Sequence, residues 1–250
     1  MKPLFAAIQF LTIVPIPASW AGRKESLVRS TPYFPIVGLL IGGFLVAFDW
    51  ALRIALPGPL ISATLVVLAM EAVSDALHLD GLADSADGLL SARTRDRALE
   101  IMKDSRAGPM GVAAVTGILL AKAAALAELP CDTRWRILVL MPLAGRAALV
   151  LKLALLPYAR PEGGLATLFK TSTRPWHAVW ALSVLTAGGA LVLGWAGIAG
   201  AAAAFAATAL FARYCLRRIG GLTGDTLGAA CELAELAAAL GVLAYIAAGA

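Results

Sequence analysis

Five carboxylates, Glu71, Asp75, Asp80, Asp84 and Asp87, fall within seventeen residues that contain no Lys or Arg. Two like charges about 4 Å apart repel by roughly 4 kcal/mol at an effective dielectric of 20, so a segment that gathers five needs a countercharge. On a helix, Glu71, Asp75 and His78 share one face, and Asp80, Asp84 and Asp87 share another by the same i, i+4, i+7 spacing. In one unbroken helix the two faces point in opposite directions. Convergence on a single site therefore predicts a break between His78 and Asp84, with Gly81 as the pivot. Oxygen ligands without thiolates suit a hard cation, Mg²⁺ or Mn²⁺, better than zinc. The five acids are the candidate metal ligands, and phosphate is the cargo such a cation usually carries. A solvated acidic loop would account for Asp87. It accounts poorly for Glu71 and Asp75, which fall inside an apolar stretch where an ionised group is costly and marks function.

The basic residues that would meet a phosphate lie downstream. Lys103-Asp104-Ser105-Arg106-Ala-Gly108-Pro-Met-Gly111 sets a Lys and an Arg beside closely spaced glycines. Arg can hold two phosphate oxygens at once. A basic boundary before a membrane span gives the same pattern, and this motif alone does not separate the two. Arg160 stands in Tyr158-Ala-Arg160-Pro161-Glu162-Gly163-Gly164. Arg217 and Arg218 open a run through Gly220-Gly221-Leu-Thr223-Gly224-Asp225-Thr226. That run resembles an anion-binding turn entering a helix, with Asp225 or Thr226 as N-cap. Asp225, Glu232 and Glu235 share one face of that helix, and the two glutamates need a polar environment inside an apolar span. Lys122, Arg146 and Lys152 are the expected ion-pair partners, with Arg146 the one expected to touch ligand. His177, beside Trp176 at the start of a span, is where interfacial residues collect and is given no role.

The elements that position these groups are membrane helices. The chain is 60% hydrophobic and 15% charged, with a mean hydropathy of +0.82, against about 25% charged residues in a soluble domain. Apolar stretches of spanning length run over 33–52, 59–77, 111–128, 137–157, 176–196, 197–214 and 228–248. The expected fold is all-α, a polytopic bundle of about seven spans forming one integral membrane domain over residues 1–250. Leu4–Val14, followed by Pro15 and Pro17, is too short to cross and reads as a re-entrant or interfacial segment rather than a cleaved signal peptide. Cys131, Cys215 and Cys231 have unrelated spacings and form neither a disulfide framework nor a metal knuckle. The net charge of +5 does not imply nucleic acid, because the basic residues sit in loops between spans. With alternating connections, the loops at 22–31, 78–110, 158–175 and 215–227 share one side and carry thirteen Lys and Arg. The other side carries Arg53, Arg134 and Arg136. That bias places the first side, and the chemistry with it, in the cytosol of a cell whose cytoplasmic (inner) membrane holds the protein.

Taken together, these residues resemble the cobalamin synthase, or adenosylcobinamide-GDP ribazoletransferase, family. The similarity rests on His78-Leu-Asp80-Gly-Leu-Ala-Asp84-Ser-Ala-Asp87-Gly88 and Leu99-Glu100-Ile-Met-Lys103-Asp104-Ser105-Arg106-Ala-Gly108. It is supported by Gln9-Phe10-Leu11-Thr12 with Pro15 and Pro17, by Ala159-Arg160-Pro-Glu162-Gly163, and by Gly220-Gly221-Leu-Thr223-Gly224-Asp225. The family pattern has a small residue such as Gly where Asp75 stands. The resemblance implies transfer of the adenosylcobinamide-phosphate group of adenosylcobinamide-GDP to α-ribazole or its 5′-phosphate, with release of GMP and a requirement for Mg²⁺. It implies metal on Asp80, Asp84 and Asp87, with His78 or a free carboxylate as base. Lys103, Arg106, Arg160, Arg217 and Arg218 would hold phosphates, with Arg146 and Asp225 also placed toward substrate. His78, Asp84 and Asp87 are thus the expected catalytic residues. The partners are those two substrates and the lipid bilayer, and a homo-oligomer is compatible with such a bundle. Two other readings stay open. The Asp-Gly-x-x-Ala-Asp run is also similar to that of CDP-alcohol phosphotransferases, and intramembrane acids mark ion-coupled transporters. The clustering of the carboxylates at one end of their span argues against a transporter.

Overall fold

The computed structural model of the chain describes every residue except Pro57, Ser105, Pro161 and Ala250, and every other side chain except that of Cys131. Among the described residues the regular structure is helical. Three short helices open the chain: α1 Lys2–Leu11, α2 Ala18–Ala21 and α3 Lys24–Val28. A 3₁₀ turn at Thr31–Tyr33 leads into α4 Phe34–Ala55, followed by α5 Pro59–Val73, α6 Leu77–Leu89 and α7 Arg95–Ile101. The rest are α8 Pro109–Glu128, α9 Cys131–Leu155, α10 Leu165–Ser172, α11 Pro175–Leu193, α12 Trp195–Ile219 and α13 Gly224–Ala247. Six helices are long and apolar enough to cross a membrane, and α5 with α6 makes a seventh if the bent pair counts as one span. With 10 residues, α1 reaches only about 15 Å and cannot span. It lies against the bundle, with Ala7 and Leu11 buried.

α9 is the centre of the bundle. Its apolar window is 94% buried, against 28% for α11 and α12, so its polar residues Arg146 and Lys152 are interior rather than lipid-facing. α4 lies directly on it. A Cβ at Gly38 would fall 2.5 Å from the Pro142 carbonyl oxygen, and one at Gly42 would fall 2.7 Å from Val139 Cα. Small residues let membrane helices approach this closely where no hydrophobic effect drives them together.

The connections divide between two ends, as the alternating reading expects. At one end, Arg218 donates to the carbonyls of Ser91 and Arg93, and Arg95 to those of Ile219 and Ala159. Ser172 donates to the Val28 carbonyl. At the other end, Arg134 and Arg53 meet Asp49, an acid within α4 that the sequence reading did not single out.

The bend between the acidic faces exists but lies earlier than expected. α5 and α6 meet at 91°, and the turn is made at Asp75 and Ala76, with φ of 53° and 52°. Left-handed backbone costs a non-glycine residue roughly 1–2 kcal/mol, so the surroundings must hold it. Arg146 Nη2 donates to Ser74 Oγ at 2.5 Å, and Ile13 N–H donates to the Val73 carbonyl at 2.8 Å. Gly81 is not the pivot. It lies inside α6, where a Cβ would meet the Asp225 carbonyl oxygen at 2.7 Å and Gly228 Cα at 3.2 Å. Its role is to let α6 touch the first turns of α13.

Candidate active site where α6 meets α13

The contact at Gly81 and Gly228 brings the acidic face of α6 beside the N-terminus of α13. That terminus is capped by Thr223, whose hydroxyl accepts from Thr226 N–H at 3.2 Å while Thr226 Oγ1 accepts from Thr223 N–H at 2.9 Å. Neither Asp225 nor Thr226 is the N-cap, as the sequence had suggested, and Asp225 is released for other work. Its Oδ2 accepts from Arg160 Nη2 at 2.7 Å and from Thr223 Oγ1 at 3.2 Å. The loop bearing Arg160 is held there by backbone pairing: Leu222 N–H donates to Pro157 O at 2.9 Å and Ala159 N–H to Leu222 O at 2.8 Å. Arg95 Nη2 adds a bond to the Ala159 carbonyl at 2.9 Å.

Asp87 is committed to protein. Its two oxygens accept from Gly108 N–H at 2.7 Å and Gly111 N–H at 2.9 Å, at the exposed N–H end of α8 where an anion is favoured. A Cβ at either glycine would fall 2.4 Å from that carboxylate. The glycines read in the sequence as part of a phosphate turn therefore receive Asp87. Asp80 and Asp84 accept no hydrogen bond from any described residue. The charges of Asp80, Asp225 and Asp87 all bear on Asp84, opposed by Arg160.

A cavity of about 300 Å³ opens beside this cluster. His78, Asp80, Arg160 and Asp225 line one end, and Phe10, Phe34, Phe169 and leucines from α9 line the other. The His78 ring is buried, at 3% exposure, and has no hydrogen-bond partner among the described residues. Arg160 Nε is buried with no partner among the described residues, which leaves a donor for an anion.

Glu71 is not in the wall of this cavity. Its Oε1 accepts from Lys122 Nζ at 2.9 Å, and Glu232 and Glu235 each accept from the same ammonium at 2.6 Å. Glu235 also pairs with Arg146 Nη1. Among the described residues, Glu71, Glu232 and Glu235 are the one group of three whose ligand atoms lie within 4.8 Å of one another, and Lys122 already stands as the cation between them. The reason is burial: all four groups are in the bundle interior, and an uncompensated charge there is far costlier than a paired one. The placement of Glu71 with Asp80, Asp84 and Asp87 is thus corrected. Asp75 lies exposed in the turn with no interaction joining it to the others. Its left-handed φ is the conformation a glycine adopts most easily.

The basic residues separate similarly. Arg160 lines the cavity, and Lys103 joins its loop through Glu162, which holds the Glu162 carboxyl below its usual range. Arg106 faces solvent and pairs with Asp104 at 2.7 Å, drawing the Asp104 pKa down to about 2. Arg146 is 1% exposed and bonded to Ser74 and Glu235, so it braces the turn and does not reach the cavity. Arg218 caps the end of α6, with Tyr214 donating to Leu89 O at 2.9 Å beside it. Arg217 is exposed and outside the cavity lining. Arg95 and the aromatic wall were missed. Arg95, the first residue of α7, stands among other arginines with no spacing signal, and the three phenylalanines come from helices far apart in sequence.

Mg²⁺ is ordinarily held by one or two carboxylates together with waters and substrate phosphate oxygens, rather than by a closed protein cage. Asp80 and Asp84 answer that description, being adjacent on one face, uncommitted, and short of positive charge.

Comparison with known proteins places the chain in a family. A family model described as cobalamin-5-phosphate synthase matches residues 3–243. A protein of Herpetosiphon aurantiacus named adenosylcobinamide-GDP ribazoletransferase is 45% identical over 249 residues, covering 99% of this chain and 97% of the relative. One of the same name from Roseiflexus sp. is 42% identical over 94% of this chain and 87% of its own length. Another from Clostridium novyi is 34% identical over 98% of both. No solved structure matches. Neither the lipid-enzyme nor the transporter reading is favoured by these relatives, which align along almost the whole length of the chain. The chain belongs to the cobalamin-5-phosphate synthase family.

Proposed function

We propose that the chain transfers the adenosylcobinamide-phosphate group of adenosylcobinamide-GDP to a hydroxyl of α-ribazole or its 5′-phosphate, releasing GMP, in a late step of cobalamin synthesis. The observation that carries this reading is the cavity end formed by His78, Asp80, Arg160 and Asp225, next to the uncommitted Asp84. It offers hard anionic ligands, a phosphate-binding guanidinium and a proton acceptor within one pocket.

Asp80 and Asp84 would hold Mg²⁺, with Mn²⁺ as a substitute. Bound there, the metal would neutralise charge on the diphosphate and on the departing GMP. Arg160 keeps Asp225 with one edge of its guanidinium and presents Nε to a phosphate oxygen. His78 takes the proton of the attacking hydroxyl as the new O–P bond forms and the P–O bond to GMP breaks. Lys103 ties its loop to the one bearing Arg160 through Glu162. The site faces the cytosol of a cytoplasmic membrane, a reading supported by the thirteen basic residues on its side against three on the other.

The test supplies adenosylcobinamide-GDP and α-ribazole to purified protein and follows GMP. Release should need both substrates, stop on chelation and return with Mg²⁺. Absence of GMP with both substrates and Mg²⁺ present would overturn the reading.

A further inference from the structure

The cavity has two ends of opposite chemistry, and the transfer reaction uses only the polar one. At the other, Phe10 and Phe169 have ring centroids 4.7 Å apart, Phe34 and Phe169 5.5 Å, and Phe10 and Phe34 6.0 Å. Leu149 and Leu153 extend this wall. The rings come from α1, α4 and α10, so two of the three are carried by short helices that lie outside the spanning bundle. Closing the side of this cavity is what those helices do.

We propose that the apolar end seats the aromatic base of the ribazole nucleoside, and that Phe10, Phe34 and Phe169 set which bases are accepted. This rests on the reaction proposed above and assigns one of its substrates to one part of the site. The corrinoid, a macrocycle fringed with amides, is too large for about 300 Å³. Guanine would bring a full edge of donors and acceptors to a wall that offers no partner for them, and polar groups buried unpaired are penalised. A dimethylated benzimidazole presents flat faces and methyl groups, which the partly exposed Phe10 ring can cover, with the buried Phe34 and Phe169 behind it limiting how deep the base can enter. With the base seated there, its ribose extends toward His78, Asp80 and Arg160. The nucleophilic hydroxyl then lies beside the group that accepts its proton.

The wild-type enzyme gives the first test. Free 5,6-dimethylbenzimidazole should inhibit GMP release competitively against α-ribazole and not against adenosylcobinamide-GDP. Competition against adenosylcobinamide-GDP, or no inhibition up to the solubility of the base, would overturn the assignment. The second test is Phe10→Leu, at the partly buried ring. It should raise KM for α-ribazole by about tenfold and leave KM for adenosylcobinamide-GDP within about twofold, since stacking on one ring is lost. A rise in the adenosylcobinamide-GDP KM alone, or in both equally, counts against the assignment. If the wild-type enzyme releases no GMP from its two substrates, the transfer reaction itself is wrong and the base seat falls with it. Normal release with the wrong inhibition pattern removes the seat alone.

Discussion

Arg160 reaches across 65 residues of sequence to Asp225, Nη2 to Oδ2 at 2.7 Å, and the two side chains are only 12% and 20% exposed. The pair fixes the loop after α9 against the first turn of α13, while Arg160 Nε stays buried without a partner. A guanidinium can do both tasks because its donors lie in a rigid plane; an ammonium cannot. Arg160→Lys should therefore keep the fold and raise KM for adenosylcobinamide-GDP by about tenfold, the loss expected when one charge-assisted bond is removed. Unchanged kinetics in Arg160→Lys would reduce Arg160 to a brace for Asp225.

The five acids should separate sharply on amidation. Asp84→Asn keeps shape but removes a hard anionic ligand, so kcat should fall by about 100-fold or more while the protein stays folded. Asp75→Asn should retain near wild-type activity, because Asp75 is exposed in the turn at φ 53° and Asn tolerates that backbone well. GMP release measured across a Mg²⁺ titration distinguishes the two. Near-normal activity of Asp84→Asn at low Mg²⁺ would remove Asp84 from the ligand set.

The spans, the loop sides and the Asp80, Asp84, Asp87 face were readable because each depends on local composition or helical period. What was not readable depended on partners far away in sequence. Glu71 was assigned to the metal because its charge needed compensation, and it found Lys122, 51 residues on. Arg146 is expected from the sequence both as an ion-pair partner and at the ligand; the pair with Glu235 is present, and its other bond goes to Ser74 rather than into the cavity. A bend is required only if both acidic triplets serve one site, which Glu71 does not, and Gly81 is the residue between His78 and Asp84 whose conformational freedom suggests a place for it. The actual turn uses Asp75, a residue type that tolerates left-handed backbone better than most, and Ala76, which no propensity marks.

The position of the turn sets the sign of two substitutions. Gly81→Ala should lower stability by about 1–3 kcal/mol through overpacking, because its Cβ would press on the Asp225 carbonyl at 2.7 Å. Ala76→Gly should raise stability by about 1 kcal/mol by relieving left-handed strain. Thermal unfolding in detergent reads both signs. A neutral Gly81→Ala would mean that α6 and α13 can part without cost.

Orientation is tested from outside the cell. Cys215 and Cys231 are buried, and with Cys131 replaced by Ser, introduced cysteines can be read against them. Arg97, 63% exposed at its side chain, lies at the end that holds the site, and Arg136 lies at the other. In intact cells an impermeant thiol reagent should label Arg136→Cys and spare Arg97→Cys until the membrane is opened. The reverse pattern would invert the topology and place the site outside.

The Lys122 cluster yields a prediction in which a second mutation repairs the first. Three carboxylates converge on one ammonium that is 0% exposed, and Arg146 helps only at Glu235. Lys122→Met leaves buried like charges facing one another and should cost about 3–5 kcal/mol. Among the described residues Glu232 bonds to Lys122 alone, so adding Glu232→Gln removes one of those charges without breaking the Arg146–Glu235 pair. The double variant should melt at a higher temperature than Lys122→Met alone and recover part of its GMP release. A double variant no more stable than Lys122→Met would mean that the lysine serves by filling space rather than by its charge.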